Sequence, residues 1–313
     1  MLPKVTVGIC VKNFDDALKE TLDSIVKQNF PHEEMEVIVV ESRSNSKVMN
    51  PLVAGVSQAN IKMNVYSDKG KGLAVARQVV VDNACGEYIV WVDGDVMLSE
   101  DFVSRQVDFM NRNPRVGIAI GKYECVELEG KFVANALCLW MSLQRIVYFG
   151  ATICRTRVIR TVQGFDPRIR GASEDVDLVR KIVLADWKLA HNSGAKFFHK
   201  QRETLGDLLK RGIWYGQGSH FASHKCEGAL DFAYMLPLIY FIIGIKLSFK
   251  AYRRHRRKKA FLIPLLCTLF SVGWFLGFFL GHMHGYGHEI LTPEINKTKT
   301  RSAKRKMQAM LNN

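Results

Sequence analysis

Two carboxylates stand two positions apart directly after an apolar run. The run is Glu87-Tyr-Ile-Val-Trp-Val, and Asp93-Gly94-Asp95 follows it. Side chains at positions i and i+2 of an extended segment point the same way, so a strand would deliver both carboxylates to one sheet edge. Such a pair, with a glycine to bend the chain, suits a hard divalent cation and the phosphates it carries. Asp-Gly is also common in hairpin turns, which leaves an ordinary turn open.

A second acidic group lies in Gly171-Ala-Ser-Glu174-Asp175-Val-Asp177. Ser173, followed by acids and then by an apolar-periodic segment, predicts a helix N-terminus. Acids in a first turn favour the helix dipole, so they could simply cap the helix. A carboxylate at the mouth of a site could instead take a proton from an attacking hydroxyl. The presence of Asp93 and Asp95 favours this second interpretation.

Three further residues downstream could serve the same chemistry. His199 follows the apolar strand predicted at 195–198, and Arg211 and Trp214 lie on a helical stretch predicted at 203–221. Their ordinary roles would be a structural histidine and an aromatic face that packs on the core. In a functional role, Arg211 would bind a pyrophosphate and Trp214 would lie against a sugar or an acceptor.

The elements that must position these residues alternate along the first half of the chain. Their spacing predicts strands at 5–10, 36–40, 61–66 and 88–92, and helices at 15–28 and 70–84. This order predicts an α/β fold, with a mixed, mostly parallel sheet covered by helices on both faces. Ligands bind at the carboxyl ends of the strands in such folds. Glu41, Asp68 and Asp93 fall at or just after strand ends, so they could line one crevice.

In the second half, the pattern predicts strands at 116–121 and 149–154 and helices at 133–146 and 174–185. Composition then changes after about residue 228, where apolar segments 230–245 and 261–281 flank the basic segment 246–259. We therefore predict a catalytic domain at 1–228, a membrane-associated helical hairpin with a basic loop at 229–281, and a polar basic tail at 282–313.

The second apolar segment would measure roughly 31 Å as a helix, which matches the hydrocarbon core of a bilayer. The first would measure roughly 24 Å and contains Pro237. If both segments span and the catalytic domain is cytoplasmic, the basic loop faces outside, against the positive-inside tendency. A first segment that lies in the interface would keep this loop on anionic lipid. Two buried core helices of a soluble protein are the alternative.

Gly273, Gly277 and Gly281 lie four residues apart on the second apolar segment. They would form one smooth helix face, which allows close helix contact in lipid. The partner of this face could be the first segment, including Gly244, or a second copy of the chain in a homo-oligomer.

Charge and cysteines indicate the compartment. The formal net charge is +14, which first suggests nucleic acid, but the basic residues cluster beside the apolar segments and favour anionic lipid. We predict no nucleic-acid partner. The seven cysteines form no C-x-x-C pair and indicate reduced, buried thiols in a cytosol-facing domain. Residues 2–11, broken by Pro3 and Lys4, do not resemble a signal peptide, so the catalytic part should face the cytoplasm.

Several pieces, taken in order, resemble the inverting family-2 glycosyltransferases of GT-A fold, from about residue 5 to about 218. They are the first strand with Asn13, the helix 18–28, the segment 69–77, the D-x-D strand 86–95, Gly164-Phe-Asp166 and Glu174-Asp175. The resemblance implies a GT-A fold, Mg²⁺ or Mn²⁺ as cofactor, and a nucleotide-diphospho-sugar as donor.

The resemblance also implies roles for the acidic residues. Asp95 would bind the metal ion on the diphosphate of the donor, and Asp93 would contact the ribose or the metal. Asp175 would be the general base, and Glu174 would hold the acceptor. His199 would complete the metal shell.

The implied donor-binding residues are Glu41, Asp68, Arg77, Asp93, Arg211 and Trp214. Glu41 stands where the family usually has aspartate, which leaves the identity of the donor open. Arg211 and Trp214 match a late R-W element only loosely, and the incomplete Q-x-x-R-W motif argues against a processive polymerase.

We therefore predict a membrane-associated glycosyltransferase with a lipid-linked or glycan acceptor. A polyprenyl phosphate is an alternative acceptor, although the intact Glu174-Asp175 pair favours a hydroxyl. A nucleotidyltransferase is a second enzyme class, but the chain lacks the expected glycine-rich, lysine-bearing N-terminal loop. A catalytically silent membrane scaffold is a third hypothesis, against which the four retained carboxylates argue.

Overall fold

A computed structural model describes residues 3–12, 14, 16–42, 55–56, 58–143, 149–199, 204–225 and 235–290. Asn13, Cys226, the predicted domain boundary at 228/229 and the tail beyond 290 lie outside the described residues.

Within the described residues, eight strands form one sheet in the order β3-β2-β1-β4-β7-β6-β8-β5. Strands β1 to β4 pair in parallel, as do β6 and β8, whereas β7 is antiparallel to β4 and β6, and β5 to β8. The predicted mixed, mostly parallel sheet is confirmed. Its strands are β1 (Val5–Val11), β2 (Met35–Glu41), β3 (Lys62–Ser67), β4 (Tyr88–Val92), β5 (Val96–Leu98), β6 (Val116–Cys125), β7 (Ala151–Arg155) and β8 (Lys188–His199).

Helices cover both faces of this sheet, also as predicted. Leu22 and Phe102 belong to the core on one face, whereas Val80 and Leu178 belong to the core on the other. The helices are α1 (Asp16–Val26), α2 (Leu73–Asn83), α3 (Phe102–Arg112), α4 (Phe132–Met141), α5 (Thr156–Thr161), α6 (Glu174–Leu184), α7 (Leu205–Lys225), α8 (Pro237–His255) and α9 (Ile263–Met283).

The last two helices pack against each other. A Cβ on Gly244 of α8 would lie 2.6 Å from Cα of Pro264 on α9. The rings of Tyr252 and Phe261 stack at 5.3 Å at one end, and those of Tyr240 and Phe270 approach at 6.5 Å further along. This order of contacts makes the two helices antiparallel.

The prediction of a loop at 246–259 is wrong for most of this range. Helix α8 continues to His255, and a short 3₁₀ helix follows at Lys258–Leu262. Lysine and arginine form helices well, and their long stems let the charges reach water from a helix. The change from apolar to basic residues therefore did not require a break in the helix.

Glycines bring α7 and α9 into close contact. A Cβ on Gly277 would lie 2.0 Å from the carbonyl oxygen of Ile213, so only hydrogen fits there. We call this contact the glycine seam, and its members are Gly212, Gly216, Gly273, Gly277 and Gly281.

The predicted homo-oligomer contact through Gly273, Gly277 and Gly281 is wrong for this face. Helix α7 of the same chain already covers it, with Leu209, Ile213 and His220 against the three glycines. The sequence indicated a helix-packing face but could not name the partner helix.

One helical stretch in the described part of the chain, Lys258–Met283, is long and apolar enough to cross a membrane. The most apolar 18 residues of this stretch have a mean hydropathy of 2.0, and 44% of them are buried within the protein. Large apolar side chains on both α8 and α9 are exposed, among them Leu238, Phe249, Leu265, Phe275 and Phe279.

The prediction of reduced thiols is wrong for two cysteines, and the prediction of burial is wrong for Cys85. Cys125 at the end of β6 and Cys138 on α4 form a disulfide, with their Cα atoms 5.5 Å apart. Cys154 and Cys267 are buried free thiols, as predicted, whereas Cys85 is exposed. The packing of α4 beside the end of β6 makes the pair, and sequence spacing does not reveal it.

Candidate active site

The predicted site residues converge at the carboxyl ends of the parallel strands. Glu41 is the last residue of β2, Asp68 directly follows β3, and Asp93 directly follows β4. Because β1, β2, β3 and β4 run in parallel, these ends share one edge of the sheet. Glu41, Asp68 and Asp93 therefore lie at one edge of the sheet, as the sequence predicted.

The segment from Asp93 to Asp95 is a turn rather than a continuation of β4. The amide of Val96 donates to the carbonyl of Asp93 at 3.0 Å, and the amide of Asp93 donates to the carbonyl of Gly150 at 3.1 Å. The extended geometry predicted for the two carboxylates is thus wrong, because β4 ends at Val92. Gly94 is required for close packing, since a Cβ there would lie 2.5 Å from Cγ1 of Val11.

The turn nevertheless presents both carboxylates to the crevice. The side chain of Asp93 is 41% exposed and that of Asp95 is 53% exposed. Val96 pairs with His199 across β5 and β8, which brings Nε2 of His199 to 2.9 Å from Oδ2 of Asp95. Burial would raise the pKa of Asp95, but the hydrogen bond from His199 and the nearby positive charges together outweigh it and lower that pKa.

Arg77 of α2 links the two acidic motifs. Its Nη1 lies 2.7 Å from Oε1 of Glu174, and its Nη2 lies 3.5 Å from Oδ1 of Asp93. The guanidinium is buried over the ring of Phe149, 4.8 Å from its centroid. Burial would lower the pKa of Arg77, yet the surrounding carboxylates raise it, so this residue is a permanent cation between the two motifs.

The helix predicted at the second acidic group is confirmed, since α6 begins at Glu174. Ser173 adopts a left-handed conformation with φ of 89° and makes no capping hydrogen bond through its side chain. Burial raises the pKa of Glu174 and of Asp175, and Arg77 opposes both shifts. Oε2 of Glu174 is buried without a hydrogen-bond partner among the described residues. Oδ1 of Asp175 accepts a hydrogen bond from the amide of Val176 at 2.7 Å, so this carboxylate also satisfies a first-turn amide, and its role as a base stays a prediction.

Asp68 shapes the loop that leads into α2. Its carboxylate accepts hydrogen bonds from the amides of Gly70 at 2.8 Å and Gly72 at 3.0 Å, and from Oγ of Ser42 at 3.1 Å. The amide of Asp68 donates to the carbonyl of Glu41 at 3.1 Å. These bonds fix the start of the helix that carries Arg77.

Helix α7 closes another side of the crevice and carries Arg211 and Trp214. Arg211 lies close enough to Asp95 to lower the pKa of that carboxyl. The ring of Trp214 packs edge-on against that of Tyr215 at 5.5 Å. The described contacts join Trp214 to this aromatic pair, not to the carboxylates.

A close backbone contact and a buried ion-pair cluster hold α7 against α6 and the loop before it. A Cβ on Gly218 would lie 1.9 Å from the carbonyl oxygen of Ala172, two residues before Glu174. At the far end of α7, the buried ammonium of Lys225 is hydrogen-bonded to Asp166 and to Asp177, the latter at 3.0 Å. Asp166 and Asp177 thus anchor α7.

Sequence reasoning missed two residues of this site. Burial, and then the charges of Asp175 and Glu174, raise the pKa of the Tyr215 phenol, so this residue of α7 is within the electrostatic reach of the acidic pair. Gly150 lets Asp93 approach the backbone, since a Cβ there would lie 2.1 Å from Oδ2 of Asp93. The sequence Trp214-Tyr215 offered a signal for the first, whereas nothing in the sequence marked Gly150.

The donor set fits a hard or borderline divalent ion. Asp93 and Asp95 offer carboxylate oxygens and His199 offers an imidazole nitrogen, which suits Mn²⁺ and also Mg²⁺. The exposure of both aspartates leaves room for a diphosphate on the open side.

Family models match most of this architecture. The model "Glycosyl transferase family 2" matches residues 6–159, and "Glycosyl transferase family group 2" matches residues 88–284. The chain belongs to the family 2 glycosyltransferases. The resemblance drawn from the D-x-D strand and the Glu174-Asp175 pair is thereby confirmed at the level of the family.

Curated relatives of this glycosyltransferase family are distant. A poly-beta-1,6-N-acetyl-D-glucosamine synthase from Staphylococcus epidermidis is 22% identical over 228 residues, which cover 66% of this chain and 52% of the relative. The poly(ribitol-phosphate) beta-N-acetylglucosaminyltransferase TarS from Staphylococcus aureus is 25% identical over 162 residues, covering 50% of this chain and 28% of the relative. The chain thus spans about half the length, or less, of these two relatives.

Solved structures show the same fold. The mannosyltransferase PcManGT from Pyrobaculum calidifontis, in complex with GDP-Man and Mn²⁺, has a TM-score of 0.56 and 19% identity, over 100% of this chain and 86% of that one. Staphylococcus aureus TarS has a TM-score of 0.51 and 17% identity, over 87% of this chain and 54% of that one. At these identities the likeness confirms the predicted GT-A fold.

Proposed function

We propose that the protein transfers a sugar, with inversion, from a nucleotide-diphospho-sugar to a lipid-linked or membrane-proximal glycan acceptor, with Mg²⁺ or Mn²⁺ as cofactor. The observation that carries the proposal is the convergence of two acidic motifs around Arg77. One guanidinium nitrogen contacts Asp93, whose motif includes Asp95 and its partner His199, and the other contacts Glu174, the chain neighbour of Asp175.

The first side suits the donor. Asp93, Asp95 and His199 would hold a divalent ion, which would stabilise the charge that develops on the leaving nucleoside diphosphate. Arg211, a cation near Asp95, would bind a diphosphate oxygen. Similar structures support this assignment, since PcManGT was solved with GDP-Man and Mn²⁺, and a TarS fragment with UDP-GlcNAc.

The second side suits the acceptor. Asp175 would take the proton from an acceptor hydroxyl as its oxygen attacks the anomeric carbon. In-line attack breaks the bond to the diphosphate from the opposite face, which inverts the configuration. Glu174 is held by Arg77 and would orient the acceptor. Tyr215 borders this side from α7.

The C-terminal helices support an acceptor at a membrane. The stretch Lys258–Met283 is apolar enough to span, and α8 carries exposed apolar residues followed by the basic residues Lys250, Arg253 and Arg254. Apolar surface beside cationic side chains suits anionic lipid headgroups. We propose that the catalytic domain, residues 1–228, faces the cytoplasm and receives an acceptor from that lipid surface. The basic residues carry this orientation; the cysteines do not, because the Cys125–Cys138 disulfide is a bond typical of an oxidising compartment.

The test is a screen of sugar nucleotides with the protein purified in detergent, with Mn²⁺ or Mg²⁺ present. We expect one donor to raise the melting temperature and to be hydrolysed slowly, and Asp95→Ala to lose both effects. Asp108→Ala, which removes an exposed carboxylate on α3, should behave as wild type.

Three outcomes would contradict the proposal in different ways. Turnover by Asp95→Ala at the wild-type rate would exclude the assigned metal site. Absence of hydrolysis and of stabilisation with every donor would favour a silent scaffold. Transfer to a polyprenyl phosphate, but not to hydroxyl acceptors, would change the acceptor class.

A further inference from the structure

Four histidines cluster where α7 meets the end of α9, away from the acidic site. His220 and His224 lie on α7, His282 lies on α9, and His288 lies in the segment after α9. The ring centroid of His224 lies 4.7 Å from that of His220 and 5.0 Å from that of His288. His220 also lies 5.5 Å from His282 and from His288. The proposed transfer reaction uses none of these residues.

Local geometry explains why the four rings meet. Residues four apart lie on one helix face, which pairs His220 with His224. Gly281 of the glycine seam lets α9 approach, since a Cβ there would lie 3.0 Å from Cβ of His220. Gly285 and Gly287 have φ of 64° and 94°, so the chain turns after α9 and brings His288 back across α7.

We propose that His220, His224 and His288 bind a transition-metal ion of the Zn²⁺ class, at a site separate from the metal site of the sugar transfer. One ligand nitrogen from each of the three residues lies within 4.8 Å of the other two. Zinc binds imidazole nitrogen at about 2.0–2.1 Å, so the three nitrogens must draw in modestly. His288 is exposed and can rotate to meet the ion.

The hydrogen bonds of His220 prepare it as a ligand. Its Nδ1 lies 2.7 Å from the carbonyl oxygen of Tyr286, so Nδ1 carries the proton and donates it to that bond. Nε2 then has the lone pair that an ion needs, and a bond from the other ring nitrogen to a carbonyl is the usual support of a metal-bound histidine. This lone pair accepts a long hydrogen bond from Nδ1 of His282 at 3.4 Å, which the ion would replace.

The ion would tie the segment after α9 to α7, and this segment reaches the loop before the acidic pair. The hydroxyl oxygen of Tyr286 accepts hydrogen bonds from the amides of Arg170 and Gly171, the latter at 3.1 Å. Gly171 lies three residues before Glu174. The histidine site would therefore stabilise the fold and help to position that loop, without touching the substrates.

The test uses the full chain purified without a histidine tag, stripped with a chelator and dialysed against Zn²⁺. With excess Mg²⁺ present to occupy the acidic site, we expect about one zinc ion per chain, competition with a colorimetric chelator, and a higher melting temperature. His224→Ala combined with His288→Ala should weaken zinc binding by about tenfold or more. His288→Ala alone removes an exposed ring, so it tests the site in a chain that folds.

Two controls separate this site from the catalytic one. His191→Ala removes an exposed histidine of β8 and should bind zinc as wild type. Asp95→Ala should also bind zinc as wild type, even where it abolishes sugar transfer. Equal zinc content and affinity in wild type and His224→Ala/His288→Ala, or no zinc in the wild type, would overturn the proposal. Loss of zinc in Asp95→Ala would instead place the ion at the acidic site.

Discussion

The acidic site and the glycine seam are built on opposite principles. The site gathers charged side chains from β4, β8, α2 and α6 around one guanidinium, and leaves Asp93 and Asp95 half open to solvent. The seam gathers positions without side chains, so that the backbones of α7 and α9 touch. Neighbouring carboxylates repel one another, so the acidic site favours a bound cation. The glycine seam is close-packed and needs no ligand for its stability.

This difference separates the expected effects of substitution. A change of charge at the site should alter chemistry while the fold persists, because the strand ends are held by the core. A change of volume at the seam should alter stability, because a close-packed interface has no room to adjust. Helix α7 belongs to both regions, since it carries Arg211 and Tyr215 on one side and Gly212 and Gly216 on the other.

The largest effect should follow from Asp175→Asn. Removing the base should lower kcat by about 10²–10⁴-fold while the donor affinity stays nearly unchanged. Steady-state kinetics and donor titration would measure this split. Asp177→Asn, in the same helix turn, should instead lower the melting temperature, because Asp177 bonds the buried Lys225. Equal losses of kcat in both variants would contradict the assignment of Asp175 as the base and of Asp177 as a structural residue.

Gly277→Ala should give the next largest effect, on stability. Its new Cβ would lie 2.0 Å from the carbonyl oxygen of Ile213, and overpacking of this kind costs about 1–3 kcal/mol. Thermal unfolding in detergent would report the loss. Gly206→Ala is the matched control, because its Cβ meets nothing closer than 3.6 Å and alanine favours helix. If Gly277→Ala melts at the wild-type temperature, the seam does not hold the two helices.

Tyr215→Phe should lower catalytic efficiency modestly. Tyr215 lies on α7, the helix that the acidic site and the glycine seam share. Burial and the charges of the acidic pair raise the pKa of its phenol, while its ring packs against Phe270 of α9 at 5.7 Å. Loss of the hydroxyl should lower kcat/KM about fivefold, the equivalent of one hydrogen bond, without a change in melting temperature. Tyr252→Phe, on the remote helix α8, should leave kcat/KM unchanged, and an equal loss there would remove Tyr215 from the site.

The smallest effect should be a shift in the pH profile. Burial raises the pKa of Asp175, so the base becomes ionised at higher pH than an ordinary aspartate and kcat should rise through that raised pKa. Glu174→Gln would leave the charge of Arg77 uncompensated, which favours the ionised Asp175 and should move the acid limb to lower pH. The dependence of kcat on pH in both proteins measures this, and a shift in the opposite direction would contradict the assigned base.

Much of the site was predictable because each motif sits at the end of a clearly patterned element. Strand β4 was predicted residue for residue, and the acids that follow it and those that begin α6 were recognised from type and position. Their mutual arrangement was not predictable. The turn at Asp93–Asp95 depends on packing against Val11, and the contact of Asp93 with Gly150 joins residues far apart in the chain.

The sequence by itself determined the α/β order, the acidic strand ends, the apolar C-terminal segments and the family, because these depend on periodicity and on local motifs. Only the tertiary structure decided that Arg77 bridges the two acidic motifs, that α7 fills the glycine face of α9, that Cys125 meets Cys138, and that four histidines share one place. Most of these contacts join different elements of the fold, and no local pattern encodes which other element a charge, a glycine or a histidine will meet.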